Sequence, residues 1–163
     1  MTGSSEVQKI MLDTNEYDRL LAAPDTYDKL PSLLSVGKIE LLTTHVQRDE
    51  IMAIDDAGKK ARLEALLTHA RMIPTRGAIL DISRFDLARS GDEDDHKLIE
   101  HIRGEAWERK SKDALIAATA VKDADVFVTD DKRLAGRLYS YPRIRCEVIN
   151  FEQLKTRLAN LRF

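Results

Sequence analysis

Lys112 to Leu134 reads KDALIAATAVKDADVFVTDDKRL, and the order of its parts decides the fold. Asp113 stands at a helix start and shares one stripe with Ile116, Ala117 and Ala120, so an acid begins the face that must pack on a sheet. Small alanines on that stripe permit a close approach. Ala124 to Thr129 (ADVFVT) is short, branched and apolar, as in a strand buried on both faces. Asp130 and Asp131 follow it at once, so this stretch joins an acid-headed helix to an acid-ended strand.

Working outward, the same alternation recurs. Downstream, Arg133 to Tyr139 reads as a helix, Arg145 to Phe151 as a strand and Glu152 to Leu161 as a terminal amphipathic helix. Upstream, Lys97 to Lys110 is helical through Leu98, Ile99, Ile102 and Ala106, with Trp107 read as a packing residue rather than a base-stacking one. Gly91 to Asp95 is an acidic loop leading into that helix, where acids suit the positive end of the dipole. Met72 to Asp95 as a whole receives no functional role, and Met72-Ile73-Pro74 is at most a short strand. Lys59 to Arg71 is amphipathic through Leu63, Leu66, Leu67 and Ala70. Before it, Ile39 to Thr43 is a strand, and Thr44 stands where an N-cap would open the helix HVQRDEIMAI, which carries Glu50. Tyr27 to Val36 and Glu16 to Ala23 are helical, with Pro31 in a first turn or at a kink. Val7 to Leu12 is the first strand and runs into Asp13-Thr14-Asn15. Met1 to Glu6 is expected to be a disordered start.

Strands alternating with helices predict an α/β sandwich with a mostly parallel central sheet. At 163 residues, with no repeat or linker, residues 1–163 are expected to form one domain. Apolar residues at 43% and charged residues at 33% describe a chain with a core and a solvated surface. The net charge of −2 supplies no global basic field, so any affinity for nucleic acid must come from a local patch. The single Cys146 cannot make an internal disulfide and reads as a small buried hydrophobe. No apolar run reads as a signal or membrane span, and a cytoplasmic protein is the simplest expectation.

Chemistry enters through the acids. In an open α/β sheet functional groups gather at the carboxyl ends of the strands. Asp13 follows the first strand, Asp130 and Asp131 follow the strand of residues 124–129, Asp113 heads the helix before that strand, and Glu50 lies on the helix after the second strand. Carboxylates gathered there would repel one another by about 4 kcal/mol per pair at about 4 Å and an effective dielectric near 20, so a cation is required. Oxygen-only ligands suit Mg²⁺ or Mn²⁺ rather than Zn²⁺, and the four histidines form no HxH or HExxH pattern. A carboxylate-held Mg²⁺ can bind phosphate oxygens and activate water against a phosphodiester. Lys112, Lys132, Arg133 and Arg137 lie near these acids in sequence and are candidate phosphate contacts.

These residues resemble the PIN-domain ribonucleases, which include VapC-like toxins of toxin–antitoxin pairs. The resemblance runs from about Lys9 to Phe151 and rests on MLDTN, QRDEI, KDALIAATA and VTDDKRL, in that order. It implies a PIN-like α/β/α sandwich, with Asp13, Glu50, Asp113 and Asp131 as catalytic and metal-binding residues. The T-x-D spacing selects Asp131 over Asp130, and Asn15, Thr129 and Asp130 become supports beside the ligands. It further implies a Mg²⁺- or Mn²⁺-dependent endoribonuclease with an RNA substrate, an antitoxin partner and room for a homodimer. Leu134 departs from the family, where many relatives carry an aromatic residue.

Two other readings fit parts of the chain. A non-catalytic PIN-like module would bind RNA or a protein without cutting it. A receiver-like phosphotransfer domain would need an acidic pair after the first strand, where LDTN offers one acid.

Overall fold

The computed structural model describes residues 6–77, 87–104 and 111–162. In chain order the elements are β1 (Gln8–Leu12), α1 (Glu16–Leu21), α2 (Pro24–Ser35), β2 (Ile39–Thr43), α3 (His45–Met52), α4 (Ala57–Leu67), β3 (Arg71–Met72), β4 (Thr75–Arg76), β5 (Ala88–Arg89), α5 (Glu93–Arg103), α6 (Ser111–Asp123), β6 (Val126–Val128), α7 (Lys132–Ser140), β7 (Glu147–Ile149) and α8 (Phe151–Asn160).

The five-stranded sheet has the order β3-β2-β1-β6-β7 and is parallel throughout. Its strands alternate between two cores because successive side chains leave a strand on opposite faces. Ile10, Leu12, Leu41, Val126 and Val128 face one layer, which holds Tyr17 and Leu20 of α1, Leu30 and Leu33 of α2, Leu63 and Leu66 of α4, and Leu154 and Leu158 of α8. Met11, Leu42, Phe127 and Val148 face the other, with Leu98, Ile99 and Ile102 of α5, Leu134 and Leu138 of α7, and the alanine-rich α6. Ala114, Ala117, Ala118 and Ala120 are fully buried at 0% exposure, so the small side chains of α6 let it pack closely against its neighbours.

The topology fixes where function can sit. From β1 the chain steps outward to β2 and β3, then returns past β1 to β6 and continues to β7. The direction of winding therefore reverses between β1 and β6, and the carboxyl ends of those two strands flank the crevice where open α/β sheets bind ligands. Asp13 N–H donates to the Val128 carbonyl at 2.9 Å and Thr129 N–H to the Ile149 carbonyl at 2.9 Å, extending the pairing just past the strand ends.

Several boundaries differ from expectation. α2 begins at Pro24, which suits a first helical position, but Pro31 lies inside the helix rather than in its first turn. Burial of Leu30 and Leu33 against the sheet outweighs the hydrogen bond that Pro31 cannot donate. α4 ends at Leu67, so Arg71 belongs to the edge strand β3, which takes in Met72 but not Ile73 or Pro74. The Gly91 to Asp95 loop is partly helical: Asp92 is the N-cap of α5, and α5 starts at Glu93. Gly104, at φ +56°, caps α5, while residues 105–110, Trp107 among them, lie outside the described residues, as do residues 1–5. The parallel pair β4 and β5 was not anticipated, its neighbours 78–86 also lying outside the described residues. Arg76 fastens it to α6 by a fork onto Asp123 at 2.9 and 2.7 Å and a backbone bond to Thr119 Oγ1 at 2.9 Å. Cys146 is buried as expected, and burial pushes its thiol up to about 12. No helix among the described residues is long and apolar enough to cross a membrane.

Candidate active site at the carboxyl ends of β1 and β6

Asp13 occupies the reversal point. It is only 4% exposed, yet both its oxygens are engaged: Oδ1 accepts from Thr14 N–H at 2.8 Å and Oδ2 from the Thr129 hydroxyl at 2.9 Å. Burial nevertheless raises its pKa, the two hydrogen bonds oppose that rise, and the charges of Asp131 and Glu50 add to it. The carboxylate is thus held in place by donors that do not fully compensate it.

Two threonines tie Asp13 to its neighbours. The Thr14 hydroxyl donates to Glu50 Oε2 at 2.7 Å, linking the first loop to α3. Thr129 Oγ1, while donating to Asp13, accepts from Asp131 N–H at 3.1 Å. Asp131 is also the N-cap of α7, its Oδ1 accepting from Arg133 N–H at 2.9 Å and Leu134 N–H at 3.0 Å, which fixes that carboxylate against the dipole of α7. Asp113, in the first turn of α6, shares with Asp131 a crevice of about 10 Å³, also lined by Ala114, Leu134 and Arg137. That is about the space of one water. Pairwise, then, all four predicted acids lie along one path: Glu50, Asp13, Asp131, Asp113.

The predicted supports divide. Thr129 touches both Asp13 and Asp131. Asn15 is exposed and its side chain makes no cap bond to α1. Asp130 turns to other tasks: Oδ1 accepts from Phe151 N–H at 2.8 Å and Oδ2 pairs with Arg19 Nε at 2.9 Å, clamping the end of β6 to α8 and α1. Among the basic residues, Lys112 Nζ lies 3.9 Å from Glu50 Oε1, and Arg137 donates to the Ile102 carbonyl at 2.5 Å while lining the Asp113 crevice. Gly104 leaves room for that guanidinium, since a Cβ there would stand 2.7 Å from Arg137 Nη1.

Two residues of this neighbourhood escape sequence reading. Gln47 is fully buried; its Nε2 donates to the Leu12 carbonyl at 2.5 Å and its Oε1 accepts from Thr44 N–H at 3.3 Å, so the amide locks α3 to the end of β1 one turn before Glu50. The Thr44-x-x-Gln47 spacing is a capping-box pattern and was available as a signal. Glu16 is 2% exposed. Its Oε1 accepts from Asp130 N–H at 2.9 Å, while Oε2 faces Arg19 Nε at 3.6 Å without a hydrogen bond among the described residues. Burial, chiefly, lifts its pKa to about 7. Nothing local marks Glu16, which reads as an ordinary first-turn acid.

Among the described residues, no three Asp, Glu, His or Cys side chains converge as a ready-made ion cage. The acids are joined in pairs instead, through Thr14, Thr129 and the crevice.

No family model matches the sequence, and no curated protein matches it. Among solved structures, a chain in the crystal structure of VapBC2 from Rickettsia felis bound to a DNA fragment from their promoter aligns with a TM-score of 0.51. The fold is the PIN-like α/β/α sandwich. That alignment covers 88% of this chain and 98% of the other at 17% identity, so the PIN-like architecture is shared while the side chains have diverged, and chemistry must be argued from this chain's own residues.

Proposed function

We propose that this protein is a metal-dependent endoribonuclease that hydrolyses RNA phosphodiester bonds, and that it is the toxin of a toxin–antitoxin pair. One observation carries the reading: a buried Asp13 at the reversal point of a PIN-like sheet, wired by Thr129 to Asp131 and by Thr14 to Glu50, with its pKa raised chiefly by burial and further by the charges of both. A carboxylate left under-compensated in that way favours a cation beside it.

The donor set fits Mg²⁺ or Mn²⁺. Mg²⁺ keeps several waters and takes one or two carboxylates plus substrate phosphate rather than an all-protein cage, so acids joined in pairs suffice. Asp13, Glu50, Asp113 and Asp131 are the residues that would hold the ion. The ion supplies Lewis acidity toward the phosphate and a lowered pKa for water. The chain's own part is positional. Thr129 orients Asp13, the α7 N-terminus fixes Asp131, Thr14 and Gln47 set Glu50, and Glu50 would accept a proton from an attacking water.

RNA cleavage should require Mg²⁺ or Mn²⁺, stop in chelator, and disappear in Asp13→Asn and Asp113→Asn. Cleavage that survives either substitution, or proceeds equally in chelator, contradicts the proposal. The antitoxin part rests on the shared fold with a VapBC2 chain. It predicts growth arrest on expression, relieved by a protein encoded alongside and absent with Asp13→Asn.

A second reading, a PIN-like module that binds RNA or a protein without cutting, has the lack of a three-acid cage among the described residues on its side. It predicts tight RNA binding with no turnover at saturating metal.

A further inference from the structure

Across α7 from the Asp113 crevice, a cleft of about 450 Å³ opens at the carboxyl ends of β6 and β7. Thr129 belongs to both places: it bonds Asp13 and Asp131, and it lines the cleft. A strand whose phosphate lies at the acids therefore has this cleft within one residue of protein chain.

The lining is unusually defined for a surface hollow. Tyr139 is 70% exposed, but its hydroxyl donates to the Val148 carbonyl at 2.5 Å, so a solvent-facing ring is tethered in one place. Asn150 and Gln153 form the capping box of α8: Asn150 Oδ1 accepts from Gln153 N–H at 2.8 Å, and Gln153 Oε1 accepts from Asn150 N–H at 2.9 Å. Those bonds occupy the amide oxygens, which settles the orientation of both amides and leaves both NH₂ groups without a hydrogen bond among the described residues. Two cations complete the wall. Arg19 is braced by Asp130 at 2.9 Å, and Lys132 has no ion pair among the described residues. Two acids also line the cleft: Asp130, which pairs with Arg19, and Glu152, which is engaged by Lys155 at 3.2 Å.

A fixed aromatic face, two outward amide donors and an uncompensated lysine match the three parts of a nucleotide: base face, base edge and phosphate. We propose that this cleft holds the nucleotide adjoining the scissile bond, its base stacked on Tyr139, the acceptor oxygens of its edge on the Asn150 and Gln153 amides, and its phosphate on Lys132 and Arg19. The site rests on the ribonuclease reading for its substrate and sets which base is accepted beside the cut.

The test uses the full chain and two readouts. Calorimetric titration with each of the four ribonucleoside 5′-monophosphates in Mg²⁺ should rank them. Tyr139→Ala should weaken the best by about tenfold or more, because stacking is lost, whereas Tyr139→Phe keeps the ring and should retain the ranking. Asn150→Ser preserves an N-cap oxygen and removes the amide donor, so it should compress the differences among the four. Lys132→Ala should weaken all four alike, as a phosphate contact does. Sequencing the ends of cleaved random RNA should show a base preference beside the cut that Asn150→Ser flattens. If the monophosphates are ranked and the variants behave as stated but RNA is not cut, the cleft stands and the ribonuclease reading falls. If RNA is cut in a Mg²⁺-dependent way while Tyr139→Ala and Asn150→Ser match wild type in both readouts, or if wild type binds all four no better than inorganic phosphate, the cleft is not a nucleotide site.

Discussion

Two groups of acids lie at opposite ends of α6 and have opposite electrostatics. At the far end, Asp92 and Asp95 cap α5 reciprocally, at 2.8 and 3.2 Å, and Lys122 lies 4.0 Å from Asp95. The Asp95 backbone N–H, chiefly, holds the Asp92 carboxyl below its ordinary value. At the near end, Asp13 has two hydrogen bonds of similar length, yet its pKa is raised, because burial and the charges of Asp131 and Glu50 exceed what the donors return. Acidity in the sequence is alike at both ends. What separates a cap from a candidate ion site is whether the charge is balanced by the fold itself.

The largest test of that difference is substitution at each end. Asp13→Asn should lower RNA cleavage by at least about 10²-fold, the range of a lost acid–base or ligand group, without lowering the thermal midpoint measured in chelator. Asp92→Ala should leave cleavage rates unchanged and cost about 1 kcal/mol in urea unfolding through loss of an N-cap. Equal loss of activity in both would erase the distinction.

Asp131 sharpens it, because it does both jobs. Asp131→Asn preserves the cap of α7 and should abolish cleavage at nearly unchanged stability, while Asp131→Ala should also cost about 1 kcal/mol in a denaturant titration.

Next in size comes pH. Glu16 has a folded pKa of about 7 against an ordinary 4.5. Between those values the folded chain binds more protons than the unfolded one, so stability is fullest at or below about pH 4.5 and falls as pH rises toward 7. Asp13 acts in the same direction from its raised value. Metal-free protein should therefore lose on the order of 2 kcal/mol across that window, and Glu16→Gln should flatten the slope. A slope of opposite sign would mean these acids are better compensated than their burial indicates.

The smallest loss of cleavage concerns Gly104. Gly104→Ala would place a Cβ 2.7 Å from Arg137 in a left-handed turn and should cost roughly 1–2 kcal/mol in melting experiments, with a modest fall in activity as Arg137 leaves the Asp113 crevice.

The alternation of strands and helices behind the parallel sheet was legible, though its strand order was not, and the four proposed acids were singled out because each is marked locally. Asp13 ends an apolar strand, Asp113 heads a stripe of alanines, Asp131 carries the T-x-D spacing of the resemblance, and Thr44 opens a helix over Glu50. Glu16 was illegible because its bonding partner Asp130 is 114 residues away in the chain, and for Gln47 the capping-box spacing was legible while its bond to a carbonyl 35 residues away was not. β4 and β5 have two residues each, too few to show a period. Of the two places open to Pro31, the first turn is not the one taken, because packing of Leu30 and Leu33 overrides local preference. The cleft beside β7 escaped for a related reason: Tyr139, Asn150 and Gln153 each have an ordinary local part to play, and only the fold brings them round Lys132.

The most direct measurement is Mn²⁺ binding followed by electron paramagnetic resonance on wild type, Asp13→Asn and Asp92→Asn. A single saturable site in wild type and Asp92→Asn that vanishes in Asp13→Asn is the predicted result. Binding that persists in Asp13→Asn, or is lost in Asp92→Asn, would contradict the assignment of the ion to the carboxyl ends of β1 and β6.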